Sequence, residues 1–354
     1  MSKWYTKYPY YPEYCTTPDQ MNTRNIPPLQ VPYGIKSQLI HVTAVIRHGA
    51  RAPHADKCWS GWNEQKWNCE LKTFISPPPE PDMLVLEGVT TNVSNVDRRS
   101  AMFLFEKHYD AFETSPTFSN ILNGTCEVGQ LLLRGYVQEK FNGEMLRKIY
   151  TRQKGANNNR NNSSSDNMVL FDFNQESEYR PYEEPALFFR SDDEQRTMMS
   201  GQVLLRGLFG DIIQQHAEEL KVPQGDPVIV VHTTDSEQNI FDPNIDLCPR
   251  LQALYDEAVL SKGYQDRFVK SKERKMMQTL MEKDLGIEKK DFETFQSSAQ
   301  DCMMTAICND HMLPPILDDF RTGNGGGGRN FEQMRNFVSI YFQAAILSIG
   351  SCSN

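Results

Sequence analysis

An α/β fold is predicted for this chain, with a central, mostly parallel sheet flanked by helices and an α-helical cap inserted into it. Three observations predict it. Short β-branched or aromatic apolar runs recur at Ile40 to Ile46, Ala186 to Phe189 and Val228 to Val231, each of buried-strand length. Between them lie stretches with helical spacing of apolar residues, from Val128 to Tyr150 and from about Gln195 to Gln214. Residues 251–320 are charged, helical in pattern (Lys270 to Lys283, for example) and contain no convincing strand.

Each element has its own reason. The segment up to Gly34 is rich in Tyr and Pro without a clean period, so it reads as an extended arm. The run Ile40 to Ile46 ends in Arg47-His48-Gly49, at the carboxyl edge where α/β sheets carry their chemistry. Pro77, Pro78, Pro79 and Pro81 mark a loop. The helix to Tyr150 offers Leu132, Val137, Phe141, Leu146 and Ile149 for packing and a Glu144/Lys148 pair one turn apart. Residues 153–167 form a low-complexity loop, expected to be mobile because it has little apolar area to bury. Thr322 to Asn330 is a Gly-rich linker, and Phe337 to Gly350 is an apolar helix too short, and too interrupted by Ser339, Gln343 and Ser348, to span a membrane. No internal repeat is found. The chain divides on this reading into an arm (1–34), an α/β core (35–250 with 331–354) and a helical cap insertion (251–330).

With 354 residues, 39% of them hydrophobic, the chain can bury a sizeable core as one large domain with an insertion or as two domains. Its formal charge of -9 opposes nucleic acid or an anionic membrane as the main partner, and a small anionic substrate would need a local basic pocket. No run of 18 apolar residues exists, so no membrane span is expected. Eight cysteines without a CxxC pair suit disulfides better than zinc or thioredoxin chemistry, and their pairing is open. Sequons at Asn92, Asn123, Asn161 and Asn162 suit a glycoprotein. A secretory origin, extracellular or lysosomal, is expected, with a signal peptide missing from the sequence as given.

Arg47-His48-Gly49-Ala50-Arg51-Ala52-Pro53 sets an imidazole between two guanidiniums. A lone Arg-His pair would suit surface ion pairing equally well. Phosphoryl transfer, however, calls for this set, because the transferring group spreads negative charge over three oxygens and preplaced cations stabilise it. Neighbouring arginines also disfavour imidazolium, which keeps a histidine nucleophilic in mild acid. Gly49 is expected to let the backbone approach a ligand, and Pro53 to stiffen the loop.

The full pattern, with Leu39, Val42 and Val45 ahead of Arg-His-Gly-x-Arg-x-Pro, resembles the active-site signature of the histidine acid phosphatases, the second branch of the histidine phosphatase superfamily. Gly129-Gln130-Leu131 with Gly135, Gln138 and Gly143 is similar to that family's glutamine-bearing helix, with Leu132 where Thr is usual. Arg190-Ser191-Asp192-Asp193-Glu194-Gln195-Arg196-Thr197 resembles its strand-to-helix turn, with Asp192 where Thr is usual. Val231-His232-Thr233 and Cys248-Pro249-Arg250 are similar to two later segments, with His232 read as structural. The resemblance implies an acid phosphomonoesterase in which His48 is the nucleophile and Arg47, Arg51 and Arg190 clamp the phosphate of a small monoester. It implies no cofactor and no metal, and a homodimer is compatible with it. It also implies a structural Cys248, paired with Cys302, Cys308 or Cys352. The Arg-x-Pro continuation and the helical insertion disfavour a branch-one mutase or phosphatase.

One element of the pattern is missing. The family's second motif is a His-Asp dipeptide whose Asp protonates the leaving alcohol, and no His-Asp occurs among the seven histidines here. Asp310-His311 has the reverse order and is read as structural. The family pattern places the His-Asp strand after a helix like Phe337 to Gly350, so the C-terminal part of the core is expected to be truncated and turnover impaired. The alternative is a catalytically inactive phosphate-binding pseudoenzyme.

Overall fold

The computed structural model describes residues 5–8, 11–27, 35, 37–55, 58–59, 64–70, 120–152, 168–172, 186–219, 229–235, 238–239, 244–289, 292–315 and 317. The expected Pro-rich loop, the low-complexity loop at 153–167, the Gly-rich linker and the apolar helix at 337–350 lie outside them. In chain order the described elements are α1 (Pro18–Thr23), α2 (Leu133–Tyr150), β1 (Thr151–Arg152), β2 (Phe171–Asp172), β3 (Phe189–Arg190), α3 (Gln195–Glu219) and β4 (Val231–His232). They continue with α4 (Pro249–Leu260), α5 (Lys262–Tyr264), α6 (Lys272–Lys283) and α7 (Phe292–Cys308). Both strand pairs, β1 with β2 and β3 with β4, are parallel, and α3 lies between β3 and β4 in the chain, as a parallel crossover requires. No helix among the described residues is long and apolar enough to cross a membrane.

The expected strand at Ile40 to Ile46 does not form. The segment makes no ladder, and Ile40 and Val45 are 89% and 96% exposed. β-branched residues favour a strand only where a neighbouring strand takes up the backbone N–H and C=O groups and another layer covers the side chains. Neither condition is met among the described residues, and Phe188 and Val230 beside the β3–β4 pair are exposed as well. The other two runs form strands only at their carboxyl ends, in register Phe189 to Val231 and Arg190 to His232.

Helices α2 and α3 are the frame of the molecule. Helix α2 buries Gly135, Tyr136, Gln138, Glu139 and Gly143, which recur at helical spacing, and keeps Arg147 and Lys148 in its last turn, where cations favour the helix dipole. Glu144 pairs back to Lys140 at 3.8 Å. The two helices cross where two glycines meet. A Cβ on Gly143 would lie 2.0 Å from the Leu204 carbonyl oxygen, and one on Gly207 would lie 2.3 Å from that of Lys140. On one side of α3, Met199 and Val203 pack with Leu131 and Tyr136 of the α2 segment; on another, Leu205, Leu208 and Phe209 receive Phe171, Leu187, Phe189 and Ile229 from the strand regions.

A third core unites distant parts of the chain, among them Tyr8, Cys15, Ala52, Trp67, Leu132, Met281, Met303 and Ile307. The N-terminal segment read as an extended arm belongs to it. It carries a 3-10 turn at Glu13–Cys15 and the capping-box helix α1, in which the side chains of Thr17 and Gln20 cap each other's backbone N–H. Its anchor is Asp310, whose carboxylate accepts from the Thr6 and Lys7 backbone N–H groups and from the hydroxyls of Thr6 and Tyr11. Tyr8 donates to the His311 carbonyl, and the His311 ring packs edge-on to Trp67, so the Asp310-His311 pair is structural.

Disulfides join Cys15 to Cys308, Cys58 to Cys302 and Cys69 to Cys126, and Cys248 is also disulfide-bonded. Because Cys302 and Cys308 are taken by N-terminal partners, two of the three pairings expected for Cys248 are excluded, and its own partner lies outside the described residues.

The helix crossing makes a direct prediction. Gly143→Ala pushes a methyl group into the backbone of α3, so unfolding should need less free energy by about 2 kcal/mol or more, seen as a lower urea midpoint. Gly210→Ala, on the same helix pair but with only the Arg206 side chain nearby at 3.4 Å, should leave the midpoint nearly unchanged.

Candidate active site

The loop that follows the exposed segment is held by its own backbone. Gly49 N–H donates to Ser200 Oγ at 3.1 Å and Ala50 N–H to Gln138 Oε1 at 2.7 Å, one acceptor from α3 and one from α2. Ala52 N–H donates to the Gln130 carbonyl, Leu132 N–H to that of Ala50, and Gly129 N–H to that of Pro53. Gln138 completes the joint by donating from Nε2 to the carbonyls of Cys15 and Thr16 at 3.0 and 3.1 Å. Gly49 has a packing reason that its sequence context does not reveal. A Cβ there would stand 2.4 Å from the Gly135 carbonyl oxygen, so helix α2 itself requires the missing side chain.

His48 sits half-buried at the head of this loop, its Nδ1 2.8 Å from the Gly49 carbonyl oxygen. Its pKa is pushed down to about 4, first by desolvation and then by the positive charges of Arg51, Arg47 and Arg196, with the Gly49 hydrogen bond opposing. The shift favours the neutral ring in mild acid. Arg47 is exposed, yet loss of hydration around its head group lowers its pKa, and the charge of Arg51 adds to that.

Arg51 is almost buried. Its Nη2 contacts Asp301 Oδ1 at 2.7 Å, its Nη1 donates to the Ala52 carbonyl at 3.0 Å, and its buried Nε–H has no partner among the described residues. Arg196, in the first turn of α3, reaches Glu194 Oε2 through Nη1 at 3.1 Å, and its buried Nε–H is likewise without a partner among the described residues. Buried guanidinium N–H groups are costly to leave unmatched, and an anion is what would match them.

Asp301 comes from α7. Burial alone would raise its pKa, but the charge and hydrogen bond of Arg51, together with the His54 backbone N–H on Oδ2 at 2.8 Å, hold it below the usual carboxylate range. His54, exposed at the rim, is lowered by partial desolvation and then by Arg51 and Arg196.

Of the four residues singled out from the sequence, His48, Arg47 and Arg51 share this cluster. Arg190 ends β3 beside His232, and Ser191 N–H donates to the His232 carbonyl at 2.9 Å. The third guanidinium acting on His48 is Arg196, six positions later in the same motif. His232 has a partner that sequence reading did not find, since its ring stacks on Phe188 with centroids 4.6 Å apart. Asp301 was also missed. Nothing in the sequence ties a helical Asp before a cysteine to a loop about 250 positions away.

Residues 38–324 match the family model described as the histidine phosphatase superfamily, branch 2. The chain belongs to that family. A probable acid phosphatase of Schizosaccharomyces pombe is 26% identical over 230 residues, which is 64% of this chain and 40% of the relative. The chain therefore spans well under two thirds of the curated relative it matches. The matched range includes the Arg47 to Pro53 loop, which Gly135 of α2 seats through its close approach to Ala50.

Two of the histidines kept neutral chiefly by burial, His48 and His311, link stability to pH. Each is pushed down to about 4 from a usual 6.5, so the unfolded chain takes up protons first as acid is added. Their contribution to folding stability is fully present above about pH 6.5 and is lost as pH falls towards 4. In unfolding titrations across that window, His48→Asn should flatten the decline relative to the unaltered chain; an identical slope would show that His48 is not buried neutral.

Proposed function

We propose that this chain is an acid phosphomonoesterase that hydrolyses small phosphate monoesters through a phosphohistidine on His48. The observation that carries the reading is a neutral imidazole beside Arg51, Arg47 and Arg196, two of which hold buried Nε–H groups with no partner among the described residues. With Nδ1–H donating to the Gly49 carbonyl, the lone pair lies on Nε2, which attacks phosphorus while the ester oxygen leaves. Water then hydrolyses the phosphohistidine and regenerates the ring. Arg47 and Arg51 are the clamp on this reading, with Arg196 as a further cation and Arg190 retained from the family pattern. Preplaced guanidiniums stabilise the spreading charge without reorganising during the step. Three guanidiniums around one imidazole also explain how an acidic protein attracts an anion. Residues 251–330 form the cap on this reading, and the disulfides suit an oxidising compartment, extracellular or lysosomal.

The proton for the leaving group is the weak point. Asp301 is the carboxylate nearest the clamp, but Arg51 keeps it ionised, so it is a poor acid. With no His-Asp dipeptide in the 354 residues, the chain as given should be impaired towards substrates whose leaving oxygen needs a proton. That same observation favours the second reading, a phosphate-binding pseudoenzyme.

Assays of p-nitrophenyl phosphate against an alkyl phosphate at mildly acid pH separate the readings. The aryl ester leaves unaided, so it should be turned over ~100-fold or more faster than the alkyl ester, the range a general acid supplies. His48→Ala should abolish turnover and retain some phosphate affinity. No turnover of either ester with phosphate still bound would establish the pseudoenzyme, and equal, fast turnover of both would show a general acid elsewhere.

A further inference from the structure

We propose that Asp301 is the positioning residue of the phosphate clamp, its carboxylate deciding which edge of the Arg51 guanidinium is left open to an anion. The inference rests on the phosphatase reading and deepens it. Both carboxylate oxygens of Asp301 are used on one loop, Oδ1 by Arg51 Nη2 at 2.7 Å and Oδ2 by the His54 backbone N–H at 2.8 Å. One contact fixes the guanidinium, and the other fixes the backbone three residues further on, so side chain and loop are located together. The Ala52 carbonyl takes Nη1. Of the N–H groups not engaged there, the Nε–H is buried and without a partner among the described residues.

A guanidinium is a planar fork that grips two oxygens of a phosphate along one edge. Without Asp301 the fork could rotate and present a terminal Nη pair or none. Asp301 ties down the Nη2 end, and the Nε edge is the one left for a phosphate beside His48. Exposed ion pairs contribute little, but these side chains are only 10% and 20% exposed, so solvent does not compete strongly for either partner. The carboxylate does not cancel the site, because Arg47, Arg51 and Arg196 outnumber Asp301 and the more exposed Glu194. Asp301 is itself held in place. The next residue, Cys302, is bonded to Cys58, which lies four positions beyond His54, so helix and loop are joined covalently beside the ion pair.

Orthovanadate affinity measured by calorimetry on the full chain tests this, together with steady-state hydrolysis of p-nitrophenyl phosphate. Asp301→Asn should weaken vanadate binding by about tenfold, a size typical when the partner that orients a binding group is removed. It should raise KM by more than it lowers kcat. Asp301→Glu, which restores the carboxylate, should recover most of the affinity. Thr305→Ala, which removes a hydroxyl bonded only to helix carbonyls of α7, should leave it within about twofold, since it does not touch the loop. Vanadate bound equally well or better by a folded Asp301→Asn chain would overturn the inference while leaving the phosphatase reading intact; no binding by the unaltered chain would bring down both. Should Asp301→Asn fail to fold, the unaltered chain still decides. The Nε–H resonance of Arg51, assigned by its loss in Arg51→Lys, should shift on adding phosphate, and a resonance that stays put while phosphate binds would overturn the assignment.

Discussion

The structure depends on burying a stretch of backbone that, among the described residues, pairs with another segment only through an isolated bridge from Arg51 to Leu131. Residues 49–53 leave the exposed segment and enter the interior, where each amide must find an acceptor or cost about 1–3 kcal/mol. The acceptors are one serine and one glutamine on two different helices, and the Gln130 carbonyl. For both side chains to reach, α2 and α3 must lie against each other and against the loop. Glycine at 49, 135, 143 and 207 is what allows that closeness, because a methyl group at any of them would overlap backbone. Helix crossing, loop conformation and the orientation of His48 are therefore one packing solution.

The electrostatics of the site follow from that placement. Burial of the imidazole, and after it the charges of Arg51, Arg47 and Arg196, push the His48 pKa down to about 4, and a single carboxylate from a distant helix pairs with Arg51. Burial works in opposite directions on the two partners. It lowers the pKa of the histidine, leaving a free lone pair, and it would raise that of Asp301 were Arg51 not there. Paired with Arg51, Asp301 is held below the usual carboxylate range.

Covalent staples replace part of what the short strand pairs do not supply. The links Cys15 to Cys308 and Cys58 to Cys302 close loops with sequence separations of 293 and 244 residues, and in the chain-entropy account such closures restrict the unfolded state most. They bring the N-terminal segment, the segment that follows the His48 loop and α7 into one core. Asp310 adds a polar anchor, accepting four hydrogen bonds from the first residues of the chain.

The sequence by itself determined the family and the two long helices. Arg47, His48 and Arg51 are contiguous, so their association needs no long-range contact, and α2 and α3 announce themselves through apolar spacing over 18 and 25 residues. Other features were legible only in part. A β-branched run predicts a strand, but a strand exists only with a neighbour, and the segment from Ile40 to Ile46 has none among the described residues. Only the tertiary structure decided that Gly49 serves helix packing, that Arg196 joins the cations at His48, that the N-terminal segment docks on Asp310, and that Asp301 holds Arg51. Each of these joins positions far apart in the chain, and local sequence carries no record of which distant group will meet a buried charge or an unpaired amide.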